Sequence, residues 1–114
     1  MKNLVIIAHP DKNSFCYNGI FKTVTECIET SNQELKIIDL YRDSFTRPRD
    51  KVIKNYKQLI TWSEKIFLIS PVWWFRLTPR MEIFFDEVFT QGFAYNFVNL
   101  TRLYAYPRPF LKDK

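Results

Sequence analysis

The sequence predicts an α/β fold, a parallel, doubly wound sheet with strand order 2-1-3, and three observations point there. Apolar runs and amphipathic segments alternate as β-α-β-α-β-α, the order that right-handed crossovers onto one parallel sheet produce. Two of the runs, Val5-Ile6-Ile7-Ala8 and Ile66-Phe67-Leu68-Ile69, lack polar alternation, as strands covered on both faces do. Each of these runs ends in a loop that is followed by a helix-start signal, Asn13 or Ser14 after the first and Thr78-Pro79 after the other.

The first strand is expected over Asn3 to Ala8. Its helix runs from Ser14 or Phe15 to about Thr30, with Ile20, Val24, Cys27 and Ile28 on one face. Leu35 to Leu40 alternates more, which suits a strand near a sheet edge. Tyr41 to Asp50 reads as a polar loop carrying Pro48. The second helix covers about Lys51 to Ser63, its buried stripe being Ile53, Tyr56, Leu59 and Ile60. Lys65 to Ser70 is the third strand, expected to be buried on both faces. The third helix opens with Thr78 as N-cap and Pro79 at the first helical position, reaches Phe89 or Thr90, and is stopped by Gly92. Residues 1–95 thus form a partial α/β domain, and 96–114, holding Pro107 and Pro109 and no helical period, is expected to be an irregular C-terminal segment.

Composition narrows the function classes. A chain of 114 residues with 46% hydrophobic and 18% aromatic content can build a core and is not a disordered tail. The net charge of +5 comes from scattered basic residues with a mild cluster at Arg42, Arg47, Arg49, Lys51 and Lys54. No basic stripe interleaves with aromatics, so no nucleic acid is expected, although the surplus attracts small anions such as nucleotides. One histidine, His9, and two cysteines without ligand spacing exclude a His-rich or thiolate metal centre, and no metal is expected. The N-terminal apolar run is too short for a signal peptide and no stretch can span a bilayer. With two free cysteines, these features imply a cytoplasmic protein with no membrane insertion.

Two loops carry the candidate chemistry. After the first strand, His9 to Cys16 joins a strand end to a helix start, where unpaired amides bind phosphate. Ser14 adds a hydroxyl, Phe15 and Cys16 their amides, and His9 a ring donor. With neither GxGxxG nor a Walker motif, the same loop also reads as an ordinary capped βα connection. After the third strand comes Pro71-Val72-Trp73-Trp74-Phe75. With order 2-1-3 both loops flank the point where the strand order reverses, the usual ligand crevice of open α/β sheets. Two Trp and a Phe there suit the wall of a flat ring; the alternative is that the Trp pair packs under the tail.

A phosphate at one end and a planar ring at the other outline a flavin mononucleotide site. Ile7-Ala8-His9-Pro10 followed by Ser14-Phe15, then Asp39-Leu40-Tyr41, Pro71-x-x-Trp74-Phe75, and Phe85-x-x-Val88-Phe89-x-x-Gly92-Phe93-Ala94-Tyr95 resemble the flavodoxin-like NAD(P)H:quinone oxidoreductases, the DT-diaphorase and potassium-efflux ancillary type. The resemblance runs to about Asn99. It implies a flavodoxin-like fold and FMN or FAD as cofactor. His9, Ser14, Phe15 and Cys16 would hold the phosphate, and Pro71 to Phe75 the isoalloxazine ring. Trp74 and Phe75 would also face substrate, and Tyr95 and Phe97 would close over the partner's site in a homodimer. The implied chemistry is hydride transfer from NAD(P)H to the flavin and two-electron reduction of a quinone.

The chain departs from that family by stopping where a fourth strand should begin, before a Gly-rich flavin-binding loop. The expectation is an incomplete family member, either a fragment or a chain whose third-strand edge another chain covers. Two functions follow: a flavin-dependent NAD(P)H:quinone oxidoreductase, or a non-catalytic binding or regulatory subunit docking to a transporter or a full-length homologue. An acidic flavodoxin-type electron carrier is disfavoured by the +5 charge.

Overall fold

The computed structural model describes residues 1–43, 45, 49–90, 92–99 and 105–111, the side chains of 96–99 and 105–108 apart. Strand β1 (Lys2–Ile7) lies between β2 (Glu34–Asp39) and β3 (Lys65–Ile69), all parallel, in the order β2-β1-β3. The register sets Val5 opposite Ile37 and Phe67, and Ile7 opposite Asp39 and Ile69. The ladder continues past the strand ends, the Leu40 N–H donating to the Ile7 carbonyl and the Ala8 N–H to the Ile69 carbonyl, both at 3.0 Å. The loops that follow therefore leave the sheet side by side.

Alternate residues of β1 feed two cores. Leu4, Ile6 and Ala8 pack with Ile38 and Leu40 against Tyr56 and Ile60 of helix α2 (Asp50–Trp62) and Met81, Phe84 and Val88 of helix α3 (Pro79–Val88). On the other face Val5, Ile7 and Ile69 meet Ile28 of helix α1 (Lys22–Thr30), with Tyr17, Phe21 and Val24 alongside. Every residue from Leu4 to Ala8 is fully buried, and burying a Val, Leu or Ile side chain contributes about 1.5–3 kcal/mol. β1 is the most thoroughly covered of the three strands, and the doubly wound arrangement expected from the sequence is present.

Several local expectations are corrected. The third strand is not covered on both faces: Leu68 is 48% exposed, and Ile66 and Phe67 are half-buried, because β3 pairs only with β1 among the described residues. The first helix begins as a π-helix over Cys16–Phe21, and its covered face carries Tyr17, Phe21, Val24 and Ile28, while Ile20 and Cys27 are exposed. The loop after β2 is not wholly polar, since Phe45 is buried against the Tyr56 ring; its Pro48 lies outside the described residues.

The segment read as irregular from Asn96 carries an antiparallel hairpin, β4 (Tyr95–Asn99) with β5 (Ala105–Pro109). A two-stranded ribbon has free outer edges, which is where proline's missing N–H costs nothing, so Pro107 and Pro109 are compatible with it. Gly92, at φ +87, precedes it, and its N–H donates to the Tyr95 carbonyl at 2.7 Å.

Candidate functional site

The loop after β1 is a folded unit. The Asp11 N–H donates to His9 Nδ1 at 2.9 Å, the Asn13 N–H to Asp11 Oδ1 at 2.9 Å, and the Ser14 N–H to the Asp11 carbonyl at 3.1 Å. With Nδ1 accepting, a neutral His9 ring carries its proton on Nε2, which is left as a donor. The amides of Phe15 and Cys16 stand in the first helical turn, where the helix has no acceptor of its own to offer. Ser14 does not cap the helix as the sequence suggested. Its Oγ is buried without a hydrogen-bond partner, beside the positive end of a helix. A buried polar group left unpaired costs about 1–3 kcal/mol. An incoming anion would satisfy it.

Phe15, 76% exposed, turns its ring back along the helix: a Cβ on Gly19 would lie 2.4 Å from the ring. Cys16 is half-buried against the second core, and burial pushes its thiol up from the ordinary value. It therefore remains a protonated packing group at neutral pH rather than a nucleophile.

The loop after β3 contains a two-residue hairpin turn. The Trp73 N–H donates to the Arg76 carbonyl at 2.7 Å and the Arg76 N–H to the Trp73 carbonyl at 2.9 Å. Between them Trp74 and Phe75 have φ of 51° and 63°. Two positive φ values in succession are what a type I′ turn needs, and Asn-Gly normally fills them. For L-residues with a Cβ the left-handed region costs roughly 1–2 kcal/mol each. Neither ring recovers that cost by packing, since Trp74 is 91% and Phe75 99% exposed. Of the Trp pair, Trp74 therefore stands in solvent, while Trp73, 38% exposed, lies against His9. The turn thus holds strain that no packing of its rings repays among the described residues.

Two contacts join the loops, and a third braces the second loop on itself. The His9 and Trp73 rings meet edge to face with centroids 5.7 Å apart. The Thr78 hydroxyl donates to the Ala8 carbonyl at 3.1 Å, and the Thr78 N–H donates to Ser70 Oγ at 3.3 Å. Thr78, fully buried, thus ties the start of α3 to the ends of β1 and β3 instead of capping its own helix. Glu82 does part of the capping, accepting from the Leu77 N–H at 3.2 Å.

Beside the first loop, at the end of β2, Asp39 Oδ1 accepts from the Tyr17 hydroxyl at 2.7 Å and from the amides of Tyr41 and Arg42 at 3.2 and 3.1 Å. Burial, then the Asp39 carboxylate, holds the Tyr17 phenol above its ordinary value. Arg80 fixes the same corner, donating to the Leu40 carbonyl at 2.6 Å and lying over the Tyr41 ring.

The loops holding His9, Ser14, Phe15 and Cys16 and Pro71, Val72, Trp73, Trp74 and Phe75 are therefore brought together at one end of the sheet. Tyr95 starts β4 and is half-buried; Phe97 pairs with Pro107 through the backbone, and its side chain lies outside the described residues. Sequence reasoning missed Ser70 and Arg76, and it gave Thr78 a capping role only. A polar residue directly after an apolar strand run was the available signal for Ser70.

A family model described as "Flavodoxin-like fold" matches residues 1–114. An uncharacterized NAD(P)H oxidoreductase of Bacillus subtilis, YdeQ, is 30% identical over 95 residues, covering 83% of this chain and 45% of that protein. An NAD(P)H:quinone oxidoreductase from Methanothermobacter marburgensis superposes with a TM-score of 0.76 at 23% identity, over 84% of this chain and 56% of its own. The general stress protein 14 of Treponema denticola, solved in complex with FMN, superposes at 0.63 with 24% identity, over 84% and 52%. The chain spans about half the length of the relatives it matches.

Proposed function

This chain belongs to the flavodoxin-like fold family, and on that premise we propose that it is a flavin-dependent NAD(P)H:quinone oxidoreductase that holds FMN or FAD. The supporting observation is the meeting of two unlike half-sites through the His9–Trp73 ring contact: a buried, unpartnered hydroxyl on one side and an exposed aromatic turn on the other. The donor set fits a phosphate, and the turn fits a flat ring.

In this reading Ser14 Oγ and the amides of Phe15 and Cys16 hold the phosphate, with His9 Nε2–H as a further donor. Pro71 to Phe75 lie along the ring, and the rings of Trp74 and Phe75 exclude water and orient the nicotinamide or quinone over it. When bound, the flavin supplies the hydride-accepting and hydride-donating chemistry, so no titratable catalyst is required of the chain. Tyr95 and Phe97 close the substrate side from a second copy in a homodimer, and the protein works in the cytoplasm. Purified protein should take up FMN or FAD, show the visible flavin bands and oxidise NAD(P)H with a soluble quinone. Protein that stays colourless with both flavins removes the enzymatic reading.

The open side of β3 favours a second reading, a non-catalytic subunit docking to a transporter or a full-length homologue. Leu68 is half exposed there, on a strand with one neighbour among the described residues. Co-purification with a full-length homologue and a matching rise in mass by light scattering test it; an inert monomer counts against it.

A further inference from the structure

A second crevice, of about 490 Å³, opens on the β2 side of the first helix. It lies on the β2 side of the first loop, with which it shares Lys12, and so on the opposite side of β1 from the Pro71–Phe75 loop. Its apolar wall is formed by Tyr17 and Phe21, whose rings meet edge to face at 5.7 Å, and by Ile37, 45% exposed on the edge strand. Three cations reach it from three different elements: Lys12 from the first loop, Lys22 from the start of α1, and Arg42 from the turn after β2.

Two carboxylates also line it, but both are engaged from within. Asp39 Oδ1 accepts the Tyr17 hydroxyl and two backbone amides, and Asp43 Oδ2 accepts the Tyr56 hydroxyl at 2.9 Å. Among the described residues none of the three cations is in an ion pair, whereas Arg49 is held to Glu87 through two 2.6 Å bonds. The crevice thus sets three cations against two carboxylates, a net positive balance, beside an apolar wall of two rings meeting edge to face, at a volume ordinary for a small-molecule site.

We propose that this crevice binds a nucleoside phosphate, its phosphate between Lys12, Lys22 and Arg42 and its base against Tyr17, Phe21 and Ile37. A neutral ring would leave the cations unmatched. The proposal does not depend on the flavin reading.

Calorimetric titration with AMP, on the chain saturated with FMN, tests it. The expected result is saturable binding of one AMP per chain, weakened at least tenfold in Lys22→Glu/Arg42→Glu, with FMN uptake unchanged. Adenosine alone and inorganic phosphate alone should each bind at least tenfold more weakly than AMP. If the charge reversal lowers the melting temperature, Lys22→Gln/Arg42→Gln replaces it, with a smaller loss of AMP binding expected. No AMP binding, AMP that FMN displaces, AMP binding that ignores both substitutions, or phosphate alone binding as tightly as AMP overturns it. If the chain takes up no flavin, the flavin reading fails by itself, and the same titration without FMN still decides this one.

Discussion

The two loops at the carboxyl end of the sheet are built in opposite ways. From His9 to Ser14 the backbone folds on its own turns, and what is left over is one buried, idle hydroxyl beside the amides of a helix start. From Trp73 to Arg76 the backbone is held in a conformation its residues resist, and what is left over is displayed as two aromatic rings in open solvent. The first half-site stores an unsatisfied polar group and the second stores dihedral strain. Both are local costs that a ligand with a charged end and a flat end would relieve together.

The sharpest way to break the comparison is to relax the strained half. Trp74→Asn/Phe75→Gly supplies the residues a type I′ turn prefers, so the melting temperature should rise, by an amount corresponding to about 1–3 kcal/mol. Quinone reduction should meanwhile fall by roughly a hundredfold or more as both ring walls disappear, since that corresponds to losing about 3 kcal/mol of oriented contact. Activity that survives the exchange would mean that the rings serve folding or another surface.

Relaxing the hidden half should give a smaller version of the same trade. Ser14→Ala removes an unpaired group, so stability should hold or improve. FMN affinity should drop by roughly tenfold or more, because a hydrogen bond to a charged group contributes about 1.5–3 kcal/mol. Fluorescence titration reads the affinity and a thermal melt the stability.

Cutting the link between the halves sharpens the comparison from another side. Thr78→Val deletes the donor to the buried Ala8 carbonyl, which should cost about 1–3 kcal/mol of stability in a denaturant melt. Unlike the other two changes it offers no compensating gain, because Thr78 carries no strain of its own.

The smallest effect concerns pH. Tyr17 and Tyr56 are both held above the ordinary tyrosine value, first by burial and then by Asp39 and Asp43 respectively. The folded state therefore keeps these protons where the unfolded chain has lost them. Their contribution is complete below about pH 10 and declines as the pH rises above it. Tyr17→Phe/Tyr56→Phe should flatten that alkaline decline in melts taken across the range.

How far the sequence could be read follows from the range of each signal. Strand order, the edge position of β2 and the stripe on α2 were legible because periodicity reports which side of an element is covered. The converging loops were legible because strand ends in a parallel sheet leave on one side. Burial of β3 was not: an apolar run records what a strand can bury, while cover is supplied by neighbours, and Leu68 has too few. The turn at Trp74-Phe75 escaped because its residues are the opposite of those that advertise positive φ. Thr78 stands at the N-cap of α3 with Pro79 first in the helix, as the sequence indicates; that its hydroxyl would go to the Ala8 carbonyl instead of the helix was not legible, because only tertiary contact chooses between them. The hairpin from Tyr95 was hidden by Pro107 and Pro109, which argue against strands except at outer edges.

The Thr78 hydroxyl makes one more thing follow. Because it fastens the end of β1 to the start of α3, the span between the idle hydroxyl and the aromatic turn is a fixed gauge rather than an adjustable gap. A molecule would be sorted by the length of its tether as much as by the chemistry of its two ends, and one a few atoms too short could grip either pole but never both.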